Sequence, residues 1–255
     1  MGRRQYIIKG RKSIPGWFER ADAEMFSAID LAQRTAGLVG DILEIGCYQG
    51  SSAILLGYLR RPNERMVVCD LFEEVATSLD DYHHQGNAYS DLSRESFEAN
   101  FLRFHKNLPE IIAGPSTMLP SSNFGRTFRL IHVDGSHEYE IVRSDLLLAK
   151  ALLMPGGFVI FDDIITLHTP GVTAAVWEGV FHDGLIPVFQ THKLYGTWDD
   201  PLKVEVPKEF NQFVHNIRGF TMTHLEYRET PRELVARVLQ QFLGARRKER
   251  LLSQG

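Results

Sequence analysis

Short apolar runs alternate with stretches of helical periodicity over most of the chain, a pattern that predicts a parallel sheet flanked by helices. The clearest unit runs from Leu130 to Asp163. Leu130-Ile131-His132-Val133 reads as a buried strand that ends in Asp134 and the turn Gly135-Ser136. From Glu138 to Leu153, the residues Ile141, Val142, Leu146, Ala149 and Leu152 or Leu153 recur at helical spacing, and Pro155-Gly156-Gly157 stops the helix. Phe158-Val159-Ile160-Phe161 is a second buried strand, closed by Asp162-Asp163. Strand, helix, strand is a βαβ crossover.

The same alternation extends on both sides. Asp22 to Ala36 predicts an amphipathic helix closed by Gly37. A strand from Asp41 to Gly46, a glycine turn and an apolar helix from Ala53 to Leu59 follow, then a strand from Arg65 to Cys69 ending in Asp70. A helix from Arg94 to Lys106, a strand at Ile111 to Gly114, a helix from Val172 to His182 and two antiparallel runs, Gly184 to Gln190 and Lys193 to Trp198, complete the pattern. The expected fold is α/β: a Rossmann-like, doubly wound, mostly parallel seven-stranded sheet with an antiparallel edge strand. Helical appendages are expected at each end. Residues 1–37 read as a loose basic leader and a cap helix, residues 38–200 as the catalytic domain, and residues 201–255 as a helical extension packing on the core or on a second subunit. In that extension Thr230-Pro231-Arg232-Glu233 carries helix-start signals ahead of an apolar stripe. Trp17 is either a lid over the core or a cap on a ligand. The aperiodic, polar Asp80 to Tyr89 is long for a βα connection and suits a lid or a substrate contact.

Composition narrows the classes. With 255 residues and 44% hydrophobic content the chain can bury a full core. A net charge of -4 argues against general nucleic-acid binding, and the basic run Arg246 to Arg250 reads as a solvated helix end rather than a polyanion-binding tail. No window has the length of a membrane span or a signal peptide, and Cys47 and Cys69 make neither a disulfide framework nor a thiolate metal site. A soluble cytoplasmic protein is expected, and the stripe of the last helix together with the Trp17 region suggests a homodimer.

The chemistry gathers at strand ends. A right-handed crossover lays its strands parallel, so Asp134, His137, Asp162 and Asp163 are expected on one edge of the sheet, where open parallel sheets bind ligands. Converging carboxylates repel, and a hard divalent ion neutralises them; oxygen donors favour Mg²⁺, Mn²⁺ or Ca²⁺ over zinc. His137, three residues after Asp134, can reach a hydroxyl at such an ion without being a ligand. Gly46 and Gly50 are spaced G-x-x-x-G, unlike the G-x-G-x-x-G of dinucleotide folds, yet they still allow a ligand close to the backbone. Asp70 sits where an acid can take both ribose hydroxyls, while an acid at a strand end is structural about as often as functional. Ser116 is placed to cap a short helix or to touch an adenine, with capping the simpler reading. His83 and His84, being adjacent, point apart and read as solvated.

Together, ILEIGCYQGSSA (Ile42 to Ala53), the acid Asp70, HVDGSHEYE (His132 to Glu140) and LLMPGGFVIFDD (Leu152 to Asp163) resemble class I S-adenosylmethionine-dependent methyltransferases. More narrowly they resemble the metal-dependent O-methyltransferases related to macrocin O-methyltransferase and actinobacterial sugar O-methyltransferases. The resemblance implies cofactor contacts from Glu44, Gly46, Gly50, Ser51, Asp70, Ser116 and Asp134. It implies Mg²⁺ (or Mn²⁺) ligands in Asp134, Asp162 and Asp163, and a general base in His137. Sugar-specific relatives often carry glutamate at the first position of the acidic pair, where this chain has Asp162. The expected reaction is methyl transfer to a hydroxyl of a small acceptor, a sugar or glycoside. A catechol or other phenol is the alternative acceptor, a non-catalytic cofactor-binding protein the alternative class, and the glycine spacing disfavours a nicotinamide dehydrogenase.

Overall fold

Buried, β-rich runs assemble the centre of the protein in the computed structural model, which describes residues 1–72, 93–119, 124–125, 127–205 and 215–216. Strands β1 (Asp41–Ile45), β2 (Met66–Asp70) and β4 (Phe128–Val133) are buried at every position, as central parallel strands covered on both faces must be. With β3 (Glu110–Ala113), β5 (Leu153–Phe161), β6 (Ile186–Gln190), β7 (Leu194–Thr197) and β8 (His215–Asn216) they form one sheet of order β3-β2-β1-β4-β5-β7-β6-β8. Pairing is parallel from β3 through β5 and antiparallel from β5 to β7, β7 to β6 and β6 to β8. The expected seven-stranded mixed sheet is present, and the two-residue β8 extends its antiparallel edge.

Helices α1 (Arg3–Ile8), α2 (Arg20–Thr35), α3 (Ser51–Leu59), α4 (Arg94–Leu102), α5 (Tyr139–Leu152) and α6 (Pro170–His182) cover the sheet. Strand alternation divides the apolar residues into two cores. Ile42, Val68, Leu130, Phe158 and Ile160 pack with side chains of α1 to α4, whereas Leu43, Ile45, Val67, Ile131, Val133 and Phe161 pack with α5 and α6. Glu44 and His132 are register partners on β1 and β4, so they share the face that looks toward α2 and α3. Arg129, fully buried on β4, is met by Glu64 at 2.9 Å, Gln33 at 2.7 Å and the Leu59 carbonyl at 3.0 Å, as a buried guanidinium requires.

Three expectations change. The N-terminal leader is not loose: α1 buries Tyr6 and Ile7, and the Tyr6 hydroxyl donates to the Ser51 carbonyl at 2.5 Å. Two apolar residues on one helical turn were enough to dock it. The helix before the acidic pair ends at Leu152, and Leu153 already pairs with Phe128, so Pro155-Gly156-Gly157 forms a bulge within β5 rather than the helix stop. Ser116 caps nothing; its 3-10 turn has Pro115 at the cap position, and the serine hydroxyl instead donates to the buried Asp145 on α5. The Asp80 to Tyr89 stretch, His83 and His84, the helix from Thr230, which motivated a homodimer, and the basic run at Arg246 lie outside the described residues, as does the 201–255 extension apart from 201–205 and 215–216. The described residues make one compact unit. No described helix is long and apolar enough to cross a membrane.

Candidate active site

The carboxyl ends of β1, β4 and β5 are tied together by backbone bonds. Asp134 N donates to Ile45 O at 2.8 Å and Asp162 N to Val133 O at 3.0 Å, which brings the β4 and β5 acids to one edge. Gly46, at φ +79°, turns the chain out of β1 against that edge, and a Cβ there would sit 2.1 Å from the Asp134 carbonyl oxygen. Glycine is therefore required by the packing of two turns as well as by φ. Tyr48, at φ +46°, and Asp163, at φ +56°, hold left-handed conformations that non-glycine residues rarely adopt, and both lie at this edge.

A crevice of about 480 Å³ opens here. Gly46, Cys47, Tyr48, Ser51 and Ser52 line one side, Asp134, His137, Asp162, Asp163, Thr166 and His168 another, and Pro15 to Phe18 and His192 the rest. Trp17, 66% exposed, lies with its ring centroid 5.5 Å from that of Tyr48, an aromatic wall at the mouth.

Asp134, His137, Asp162 and Asp163 meet as expected. His137 Nε2 is 3.1 Å from Asp163 Oδ2, and Thr166 donates to Asp163 Oδ1 at 2.8 Å. Burial works against the charge on Asp163, yet the bonds from His137 and Thr166 outweigh it and hold its pKa below the usual range. Asp134 differs: burial of the charged form pushes its carboxyl up to about 6, Lys193 pulls the other way and Asp163 adds to the rise. Asp162 Oδ1 accepts from the Asp163 amide at 2.7 Å, and its Oδ2 is in contact with the Lys193 ammonium.

The other expected cofactor residues are spread around the turn. Gly46, Ser51 and Asp134 line the crevice. Gly50, at φ +93°, caps α3 against Phe97. Asp70 accepts from the Cys47 and Tyr48 amides at 2.6 and 3.1 Å and from Phe72 N at 2.9 Å, so it fixes the glycine turn in shape. Glu44 is fully buried behind the crevice, where its Oε1 lies 2.8 Å from His132 Nδ1. Burial raises the Glu44 pKa well above the usual range, against a hydrogen bond from Ser52, and burial lowers that of His132.

Sequence reasoning missed Lys193, His192, Asp22 and His132. Lys193 is 1% exposed and sits in the β6–β7 turn, opposite the acid pair across the antiparallel edge. His192 Nε2 lies 3.4 Å from Asp22, a buried α2 residue; burial opposes the imidazolium, and Asp22 outweighs it and raises the His192 pKa.

Residues 43–164 match the family model of a methyltransferase domain. No curated protein matches the chain. Among solved structures, the O-methyltransferase NovP aligns with a TM-score of 0.56 at 21% identity, over 70% of this chain and 80% of NovP. An O-methyltransferase from Bacillus cereus in complex with SAH gives 0.51 at 14%, over 76% and 90%. The SAH-bound Podospora anserina methyltransferase PaMTH1 gives 0.50 at 17%, over 78% and 88%. The matched stretch runs from β1 to the residue after the acidic pair and so contains both the glycine turn and the strand-end acids; this part of the chain is a methyltransferase domain.

Proposed function

We propose that this protein is a divalent-metal-dependent O-methyltransferase that methylates a hydroxyl of a sugar or glycoside. The observation that carries this reading is the meeting of Asp134, Asp162 and the His137–Asp163 pair on the crevice wall that faces the glycine turn. NovP and the Bacillus cereus protein, both similar to this chain, are O-methyltransferases. A carbohydrate acceptor is supported by the exposed Trp17 indole beside the polar rim of Thr166, His168 and His192.

The residues fit both groups that the reaction needs. When bound, S-adenosylmethionine supplies a methyl on a positively charged sulfur, and the Gly46 turn with Tyr48 and Ser51 offers close backbone approach for it. When bound by Asp134 and Asp162, Mg²⁺ or Mn²⁺ would supply Lewis acidity that lowers the pKa of an acceptor hydroxyl. His137, held by Asp163 at 3.1 Å, takes the hydroxyl proton as oxygen forms its bond to the methyl carbon. S-adenosylmethionine would supply the methyl group, its sulfur keeping the electron pair of the carbon–sulfur bond so that neutral S-adenosylhomocysteine would leave. Asp163, with Thr166 behind it, orients the imidazole and stabilises its charge. Alignment of acceptor against donor supplies much of the rate.

Two measurements test the reading. His137→Ala is expected to lower turnover about 10²-fold or more with S-adenosylhomocysteine affinity unchanged. Chelation with EDTA is expected to abolish turnover and added Mg²⁺ or Mn²⁺ to restore it; full activity in EDTA would defeat the metal reading. A panel of glycosides and catechols separates the acceptor classes.

A further inference from the structure

His132 has no assigned part in the reaction, yet its surroundings are those of a ligand. It is fully buried on β4, edge-on to Phe26 with ring centroids 5.1 Å apart, and its Nδ1 lies 2.8 Å from Glu44 Oε1. Its other ring nitrogen, Nε2, is buried without a hydrogen-bond partner among the described residues and is 4.0 Å from Asp134 Oδ2. A buried polar atom left unpaired costs about 1–3 kcal/mol, so a chain that places one there needs something to satisfy it. His132, Asp134 and Asp162 each offer one donor atom, and the three lie within 4.8 Å of one another. Bonds of about 2.1 Å place ligands about 3 Å apart when adjacent and about 4.2 Å when opposite, so modest side-chain movement closes this triangle on an ion.

Metal-binding histidines characteristically donate their second N–H to a carboxylate, which fixes the tautomer and the ring orientation. Glu44 is in that position: it is the register neighbour of His132, it does not line the crevice, and its oxygen meets Nδ1. Asp163 is differently placed, its two oxygens engaged by His137 and Thr166. Lys193 pairs with Asp162 and would share that carboxylate with an ion.

We propose that His132 is a direct nitrogen ligand of the divalent ion, completing with Asp134 and Asp162 a one-imidazole, two-carboxylate site. An imidazole among the ligands favours a first-row transition ion such as Mn²⁺ over Mg²⁺, which prefers oxygen. Glu44 is then the positioning residue behind the ligand, and Asp163 belongs to the base rather than to the ion. The assignment rests on the metal dependence proposed above.

The test is pulsed EPR on the full-length protein, stripped with EDTA and loaded with Mn²⁺. A ¹⁴N coupling from one directly bound imidazole is expected, replaced by the ¹⁵N pattern when the histidines are ¹⁵N-labelled. It should persist in H137Q and H192Q and disappear in H132Q. Should H132Q fail to fold, affinity decides: D163N, whose positive φ suits asparagine, is expected to bind Mn²⁺ within about 3-fold of the unmodified protein, while D134N loses about 10-fold or more. Bound Mn²⁺ with no nitrogen coupling, coupling lost in H137Q or H192Q, or equal losses in D163N and D134N overturns the His132 assignment and leaves the metal-dependent reaction standing. Failure of Mn²⁺ and Mg²⁺ to bind at millimolar concentration overturns both.

Discussion

Asp145 is 1% exposed on α5 and is met by the Ser116 hydroxyl. Burial pushes its carboxyl up to about 6, and the bond from Ser116 only partly opposes this. An acid whose folded pKa exceeds its unfolded value stabilises the fold while protonated, and that contribution fades as pH rises from about 4 through about 6. At neutral pH the lost contribution is at most about 3 kcal/mol, the equivalent of two pKa units. Asp145→Asn keeps an acceptor for Ser116 and removes the charge. It is expected to gain several degrees in Tm over the unmodified protein at pH 7.5, with the gain shrinking toward pH 4. A difference independent of pH would show that the carboxyl titrates alike in the folded and the unfolded chain. Residues of this kind were hidden in the sequence: Ser116 was legible as a polar residue after Gly114-Pro115, but its partner lies on a helix that only the fold brings near. The strand-end acids were legible, because a buried run that stops at a carboxylate places it at the sheet edge whatever the surroundings.

At the scale of elements, the βαβ unit was readable because apolar period and turn residues agree locally, and the β6–β7 contribution was not. His192 and Lys193 reach Asp22 and Asp162 through the antiparallel insertion of β7 beside β5, a pairing with no local signature. The seat of His137 is also set between elements. Gly171, in the first turn of α6, packs against the turn that carries His137, and a Cβ there would lie 2.6 Å from the His137 carbonyl oxygen and 2.8 Å from Tyr139 N. Both are backbone atoms, so the turn must move as a body. Gly171→Ala is expected to leave the circular dichroism spectrum unchanged, to destabilise the protein by about 1–3 kcal/mol, and to lower turnover about 10-fold or more by displacing the base. Unaltered turnover with a lowered Tm would show that α6 supports the fold and does not set the imidazole.

For the whole molecule, two cores on opposite faces of one sheet leave the carboxyl edge as the place where loops from both layers meet. The glycine turn enters α3 on one face, and the His137 turn enters α5 on the other. A ligand in the crevice between them therefore bridges elements that belong to different cores, and its binding energy adds to global stability. S-adenosylhomocysteine at about one hundred times its Kd should contribute about 2.7 kcal/mol, if it binds only the folded chain. For a protein of this size that corresponds to a Tm rise of about 5–11 °C, and NAD at the same concentration should give none. Asp70→Asn tests whether the turn transmits this gain. The carboxylate accepts the Cys47 and Tyr48 amides, and an asparagine retains only one oxygen for those bonds and for Phe72 N. The variant should fold yet show a smaller shift, because part of the ligand's binding energy then goes into ordering the turn. A shift as large in Asp70→Asn as in the unmodified protein would detach Asp70 from cofactor binding, as hydroxyl partner and as holder of the turn alike.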